Sequence, residues 1–287
     1  MRSLLFVPAD SECKIAKGLS SAADALILDL EDGVGPDSKL AARAVCAQML
    51  ASAEAAASGK RLIVRINAFD TPLATDDLAA VARHRPFGIM LPKSGGAADL
   101  IRLGHILDGL EARDGIEPGS AKIIPVATET ASAVLNLTNS QPIPRLYGML
   151  WGAEDLAADV GAKASRDPAA VYSGPALMAR NLCLFAAAAA GAVPIDAVYT
   201  NFRDEAGLRA EAETAARDGF TAKACIHPDQ VGPINAAFSP SEAEIARAHR
   251  VMAAFAASPG AGAVALEGRM LDRPHLRAAE RILARAG

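Results

Sequence analysis

Charged side chains recur at one kind of place in this chain, just where a short apolar run gives out. The run 25–32 (ALILDLED) ends on Asp29, Glu31 and Asp32, and 61–67 (RLIVRIN) carries Arg65 and Asn67. The run 88–94 (GIMLPKS) brings Lys93, 122–129 (KIIPVATE) ends on Glu129, and 146–152 (LYGMLWG) is followed by Glu154 and Asp155. A carboxylate at the end of a buried segment is strongly unfavourable when unpaired, so something cationic must accompany it. Two or three carboxylates with one arginine suit a hard divalent ion and an anionic ligand. Magnesium commonly takes only one or two protein carboxylates and leaves its other positions to water and substrate oxygens, a demand that Glu129 and Asp155 fit. Arg65 offers a planar fork of donors that can grip a substrate carboxylate. A metal held there could polarise a keto or hydroxyl oxygen of the same small acid.

Positioning these groups requires a particular scaffold. Three further apolar runs, 3–9, 195–200 and 222–228, bring the total to eight, and their hydrophobicity is continuous rather than alternating, as in parallel strands buried on both faces. Most intervening segments, such as 36–59 and 174–191, have helix length. The pattern predicts an α/β fold, a (β/α)8 TIM barrel over residues 1–238, with an open doubly wound sheet as the alternative. In a barrel the working face is the C-terminal end of the strands, where the charged groups fall. Residues 239–258 read as one more helix with Ser241 as N-cap and Glu244 completing a capping box. A Gly-rich arm, a short strand-like piece and an amphipathic helix follow to residue 287. This C-terminal helical extension, 239–287, is expected to pack on a neighbouring subunit or to cover the barrel's own bottom.

Composition narrows the functions. The chain has 287 residues, 51% of them hydrophobic and 22% charged, which excludes a disordered chain. A net charge of -4 gives no long-range attraction to nucleic acid or to an anionic membrane. The apolar run 182–195 is too short for a bilayer span and is closed by Pro194 and Asp196, and the N-terminus reaches Asp10 and Glu12 too soon for a signal peptide. A cytoplasmic protein is expected. Cys13, Cys46, Cys183 and Cys225 show no metal or redox spacing and read as reduced, mostly buried thiols. The five histidines are scattered, and His227 beside Pro228 reads as a strand-end hydrogen bonder. The stretch 260–265 (GAGAVA) opens no helix after a strand and is not a dinucleotide fingerprint.

Eight blocks, RSLLFVPA, DALILDLEDGV, RINA, LPKSGG, ATETA, WGAEDLAADVG, GFTAKACIHPDQV and GRMLDRPHLRAAERILARA, occur in an order that resembles the citrate lyase β-subunit and malyl-CoA lyase group. That group is the CoA-thioester branch of the HpcH/HpaI barrel aldolases, and the likeness covers nearly the whole chain. The resemblance implies Mg²⁺ on Glu129 and Asp155, and Arg65 on the carboxylate of the keto-acid half. It implies Asp272 as an acid/base that reaches the site from a neighbouring subunit of a trimer or hexamer. It also implies that Phe6, Lys14 and Lys17 hold substrate. The departures are Cys13 at a usually basic position and Ala9 where a glycine is usual, both bearing on the CoA contacts.

The activity implied is cleavage or formation of a 3-hydroxyacyl-CoA thioester such as malyl-CoA or citramalyl-CoA, giving a keto acid and a short acyl-CoA. Alternatives are a citrate lyase β-subunit acting on an acyl-carrier-protein thioester, a thioesterase, and a catalytically silent acyl-CoA binding protein. Blander roles compete for the residues themselves. Glu129 could be a surface-loop glutamate and Asp155 a helix N-cap. Arg65 could pair structurally with Asp29, Glu31 or Asp32, acids that otherwise read as supporting partners, and Lys93 is left open.

Overall fold

All eight apolar runs form parallel strands of one sheet in the computed structural model, which describes residues 1–137 and 142–286. They are β1 (Ser3–Pro8), β2 (Ala25–Asp29), β3 (Arg61–Arg65), β4 (Gly88–Leu91), β5 (Lys122–Pro125), β6 (Gly148–Leu150), β7 (Val193–Asp196) and β8 (Ala222–Cys225). Their order is β5-β4-β3-β2-β1-β8-β7-β6, and parallel bridges Ile123–Leu146 and Val126–Leu150 join the two ends. The sheet therefore closes into a (β/α)8 barrel, and the open doubly wound alternative falls. Most strands stop short of the apolar runs that predict them. The last few residues of each such run leave the ladder to become the loops that carry charge.

Side-chain parity explains what goes inside. Leu4, Ala25, Ile27, Ile63, Met90, Ile124, Leu150, Ile195, Ala222 and Ala224 form one buried cluster. Each leucine, isoleucine or methionine among them is worth about 1.5–3 kcal/mol when fully buried. Residues two apart on a strand share a face, so Phe6, Asp29 and Arg65 continue the inward set at its C-terminal end, whereas Asp196 and Lys223 point to the other face.

Helices wrap the barrel as their capping residues dictate. Segment 36–59 resolves into a 3₁₀ turn and two helices, Lys39–Leu50 and Ala53–Ala57, because Ser52 starts a new helix by accepting the Ala55 N–H at 3.1 Å. The segment 174–191 forms the helix Gly174–Ala189, capped by the Ser173 hydroxyl. Among the described residues no helix is long and apolar enough to cross a membrane. All four cysteines are free, with Cys13 exposed and Cys46, Cys183 and Cys225 buried.

The chain divides into two compact units, Met1–Asn235 and Ala236–Gly287. In the second, the helix Glu242–Ala256 begins at the capping box of Ser241 and Glu244. The strand-like piece is a hairpin of β9 (Ala263–Leu266) and β10 (Arg269–Asp272), turned through Glu267 and Gly268 at φ 51° and 72°. Two positive φ values in a two-residue loop make the tight turn that matches strand twist. The helix Arg273–Ala286 follows, and Val251, Phe255, Val264, Leu271 and Ala279 form this unit's core.

Candidate active site

At the C-terminal ends of the barrel strands lies a cavity of about 400 Å³. Arg65, Asp29, Asp32, Glu129, Glu154 and Asp155 supply its charge, while Phe6, Val126, Leu150, Trp151, Val198 and Ile226 contribute apolar walls. Glu129, Asp155, Arg65 and Phe6, four of the residues singled out by sequence, thus meet in one place. Lys14 and Lys17 do not line the cavity; they are exposed on the helix Glu12–Ser20 that follows β1. Asp272 belongs to the second unit, exposed on β10, where Oδ1 lies 2.6 Å from His275 Nδ1. That bond holds its carboxyl below the usual range.

The register of β2 against β3 places Asp29 beside Arg65. Asp29 accepts from Arg65 Nε and Nη2, both at 2.7 Å, and Arg65 Nη1 lies 2.9 Å from Glu31 Oε2. The bland role foreseen for Arg65 is therefore real: its fork is engaged by Asp29. Of its five N–H groups, those on Nη1 and the second on Nη2 make no hydrogen bond to a described residue. The guanidinium also stacks over the Phe6 ring, 4.8 Å from its centroid. Burial works against its charge, but Asp29 and Glu31 hold its pKa above the ordinary arginine value.

Asp29 is itself fixed by the Glu31 and Gly33 N–H groups, both at 2.9 Å. Gly33 is needed there, since a Cβ would lie 2.3 Å from Asp29 Oδ2. Behind this turn the Lys39 ammonium donates to the Leu30 and Glu31 carbonyls and to Asn67.

Glu129 follows β5 as a buried carboxylate, only 3% exposed. One oxygen accepts the Lys93 backbone N–H. Its neighbour Thr130 caps the next short helix, and Thr128 bonds both ways with Gly152 (2.9 and 3.2 Å), tying the end of β5 to the end of β6. A Cβ on Gly152 would lie 2.9 Å from Glu129 Cγ, so the glycine makes room for the acid. Burial raises the Glu129 pKa to about 8, assisted by the charges of Asp155 and Glu31. Asp155 is not an N-cap: Ala153 holds that position and Asp155 stands in the first turn of the helix Glu154–Asp159, where a carboxylate is favoured electrostatically.

Lys93, left open by sequence, joins the two halves. Its left-handed backbone (φ 49°) directs the N–H to Glu129, while its ammonium pairs with Glu31 and lies 3.3 Å from Asp32 and 3.8 Å from Asp155. Such a φ is unusual outside glycine. The PKSGG turn carried no recognisable sign of it beyond its glycines.

The donor set itself tests whether a metal fits. Two hard carboxylates line one cavity, and the charge of Asp155 adds to burial in raising the Glu129 pKa, so a cation placed between them would be favoured. Among the described residues no group of three His, Cys, Asp or Glu could hold an ion unaided. An ion bound by Glu129 and Asp155 would complete its shell from water or substrate, which suits magnesium. His227, by contrast, caps a 3₁₀ turn and stacks on Phe202 with centroids 5.1 Å apart.

Residues 2–228 match the family model described as HpcH/HpaI aldolase/citrate lyase. The chain is 38% identical over 288 residues to a (3S)-malyl-CoA thioesterase of Cereibacter sphaeroides, covering 99% of this chain and 94% of that protein. It is also 38% identical over 283 residues to a citrate lyase subunit beta-like protein of Mycobacterium tuberculosis, with the same coverage. A crystal structure of CitE from that organism, in complex with magnesium, acetoacetate and coenzyme A, superposes with a TM-score of 0.82 over 100% of this chain and 98% of its own. Eight strands in barrel order, charged groups at their C-terminal ends and full-length similarity agree, and the chain belongs to the HpcH/HpaI aldolase/citrate lyase family.

Proposed function

We propose that this protein is a Mg²⁺-dependent carbon–carbon lyase that cleaves, or forms, a 3-hydroxyacyl-CoA thioester of the malyl- or citramalyl-CoA kind. The observation that carries the reading is the meeting of Glu129, Asp155 and Arg65 in one cavity. Glu129 and Asp155 would hold the ion, and the similar CitE structure is in complex with magnesium. When bound, it supplies Lewis acidity to oxygens of the hydroxy or keto acid.

The chain's own groups do the rest. Arg65 presents its remaining N–H groups to the substrate carboxylate and is kept from swinging away by Asp29, so the acid is received in one orientation. Phe6, Val126, Leu150, Val198 and Ile226 keep water from the forming enolate. In cleavage, the bond between the hydroxyl-bearing carbon and the carbon beside the thioester breaks, and its electron pair passes to that carbon as a thioester enolate. The hydroxyl proton passes to water, a keto acid leaves, and the enolate carbon takes a proton. Asp272 of a second copy of the chain is the proposed donor in that step and acceptor in the reverse condensation, with His275 beside it to exchange the proton. Lys14 and Lys17, outside the cavity, suit the anionic distal part of the coenzyme.

The Cereibacter relative favours a second reading, hydrolysis of the thioester, in which water adds to the carbonyl carbon and the thiol leaves. Incubation of purified protein with Mg²⁺ and a panel of malyl-, methylmalyl- and citramalyl-CoA, following free thiol and keto acid together, separates the two. Keto acid without thiol is the expected result. Thiol without keto acid would establish the hydrolase instead.

A further inference from the structure

A second cluster of buried charge lies on the outer face of the barrel wall, against the helix Glu205–Asp218. Lys223 on β8 has no exposed surface, and its ammonium donates to Asp196 Oδ2 (2.6 Å), Glu211 Oε1 (2.8 Å) and the Ala197 carbonyl (2.6 Å), so all three of its protons are used. Asp196 on β7 is equally buried; its other oxygen accepts the Trp151 indole N–H at 2.7 Å and lies 3.5 Å from Arg180 Nε. Burial opposes the charge of Asp196, but Lys223, then Arg180 and the indole, hold its pKa below the usual carboxylate range.

Stability alone explains such a cluster poorly, because a buried ion pair is often no better than apolar residues of the same volume. Its connection to the cavity is more telling. Trp151 follows β6, lines the cavity, and opens the segment that delivers Asp155. Its ring packs at a steep angle against that of Tyr172, with centroids 4.9 Å apart. One end of this segment is thus tied by the indole to Asp196, and Gly152 is tied by Thr128 to the strand end that carries Glu129.

We propose that Asp196, held in place by Lys223, is a positioning residue for the ion site: through the Trp151 indole it fixes residues 151–155 so that Asp155 faces Glu129. This inference rests on the reading of Glu129 and Asp155 as the ion-holding pair. Groups that orient metal ligands typically contribute about 10–100-fold to metal affinity.

Mn²⁺ titration followed by the electron paramagnetic resonance of the free ion tests it, with no substrate present. Trp151 is the protein's sole tryptophan, so its fluorescence anisotropy decay reports the same segment. In Asp196→Ala, Mn²⁺ affinity should fall about 10–100-fold, and the indole should reorient faster at a temperature where circular dichroism shows the barrel folded. Trp151→Phe removes the indole proton, leaves the ion pairs intact and decides the matter if Asp196→Ala does not fold; the same loss of affinity is expected at a temperature where circular dichroism shows the barrel folded. Wild-type affinity in Trp151→Phe, or in a folded Asp196→Ala, would overturn the inference while leaving the ion site standing. Failure of the wild-type protein to bind Mn²⁺ would overturn both.

Discussion

Two charged clusters share one barrel and are built on opposite plans. On the outer face, Lys223, Arg180 and Arg166 meet Asp196, Glu211 and Asp218, one cation to each acid, at 2.6–2.8 Å. At the cavity, Asp29, Glu31, Asp32, Glu129, Glu154 and Asp155 are answered by ion pairs to Arg65 and Lys93 alone among the described residues. The outer cluster is complete, and its acid lies below the usual range. The inner cluster is short of positive charge, and Glu129 is pushed up to about 8. A complete cluster holds strands and loops in place, whereas an incomplete one has room for a cation from solution.

The sharpest way to break this contrast is to remove the deficit. Glu129→Gln and Asp155→Asn should each abolish turnover in the coupled thiol and keto-acid assay, with melting temperature unchanged or raised, because a repelling charge is gone. Retained turnover in either would mean that the cavity needs no carboxylate pair. Asp272→Asn should leave thioester binding intact and lower the single-turnover rate about 10²–10⁴-fold, the usual range for general acid–base catalysis; a fully active variant would remove Asp272 from the chemistry.

Damage to the complete cluster should read differently. Lys223→Met leaves Asp196 buried beside Arg180 alone and should cost about 3–5 kcal/mol in urea unfolding, the usual penalty for orphaning half of a buried pair. A loss near zero would show that Asp196 is neutral or solvated there.

A smaller effect follows from pH. The Glu129 carboxyl is raised from 4.5 to about 8 in the folded protein, so the native state holds its proton more tightly than the unfolded chain does. Its contribution to stability is complete below pH 4.5 and is lost as pH rises towards 8. Without divalent ions the melting temperature of the wild type, relative to Glu129→Gln, should therefore fall across that window, and saturating Mg²⁺ should restore it at pH 8. A flat difference would mean that Glu129 already has its counter-charge.

Much of the scaffold is legible in the sequence because barrel strands are buried on both faces, and each leaves a continuous apolar run. The incoming residues of the cavity are legible for a related reason: Glu129 follows a run that has no apparent use for a carboxylate. What escapes such a reading is register and backbone conformation. Nothing in RLIVR shows that Arg65 will lie level with Asp29 and spend its fork there. The left-handed turn at Lys93, which joins Glu129 to Glu31, has no composition signal. Asp196 and Lys223 sit in four-residue strands, too short for their outward parity to stand out, so the cluster behind Trp151 appears only once the helix Glu205–Asp218 is packed against them. The competing role of Asp155 as a helix N-cap fails by a small shift, since Ala153 takes that position.

The central claim is that a single divalent ion binds between Glu129 and Asp155 within reach of Arg65. Anomalous diffraction from crystals soaked with Mn²⁺ and pyruvate tests it directly. The account predicts one Mn²⁺ peak per chain bonded to oxygens of both acids, with the keto acid's carboxylate against Arg65. A peak elsewhere, or Lys93 Nζ bonded to both acids with no ion between them, would contradict it.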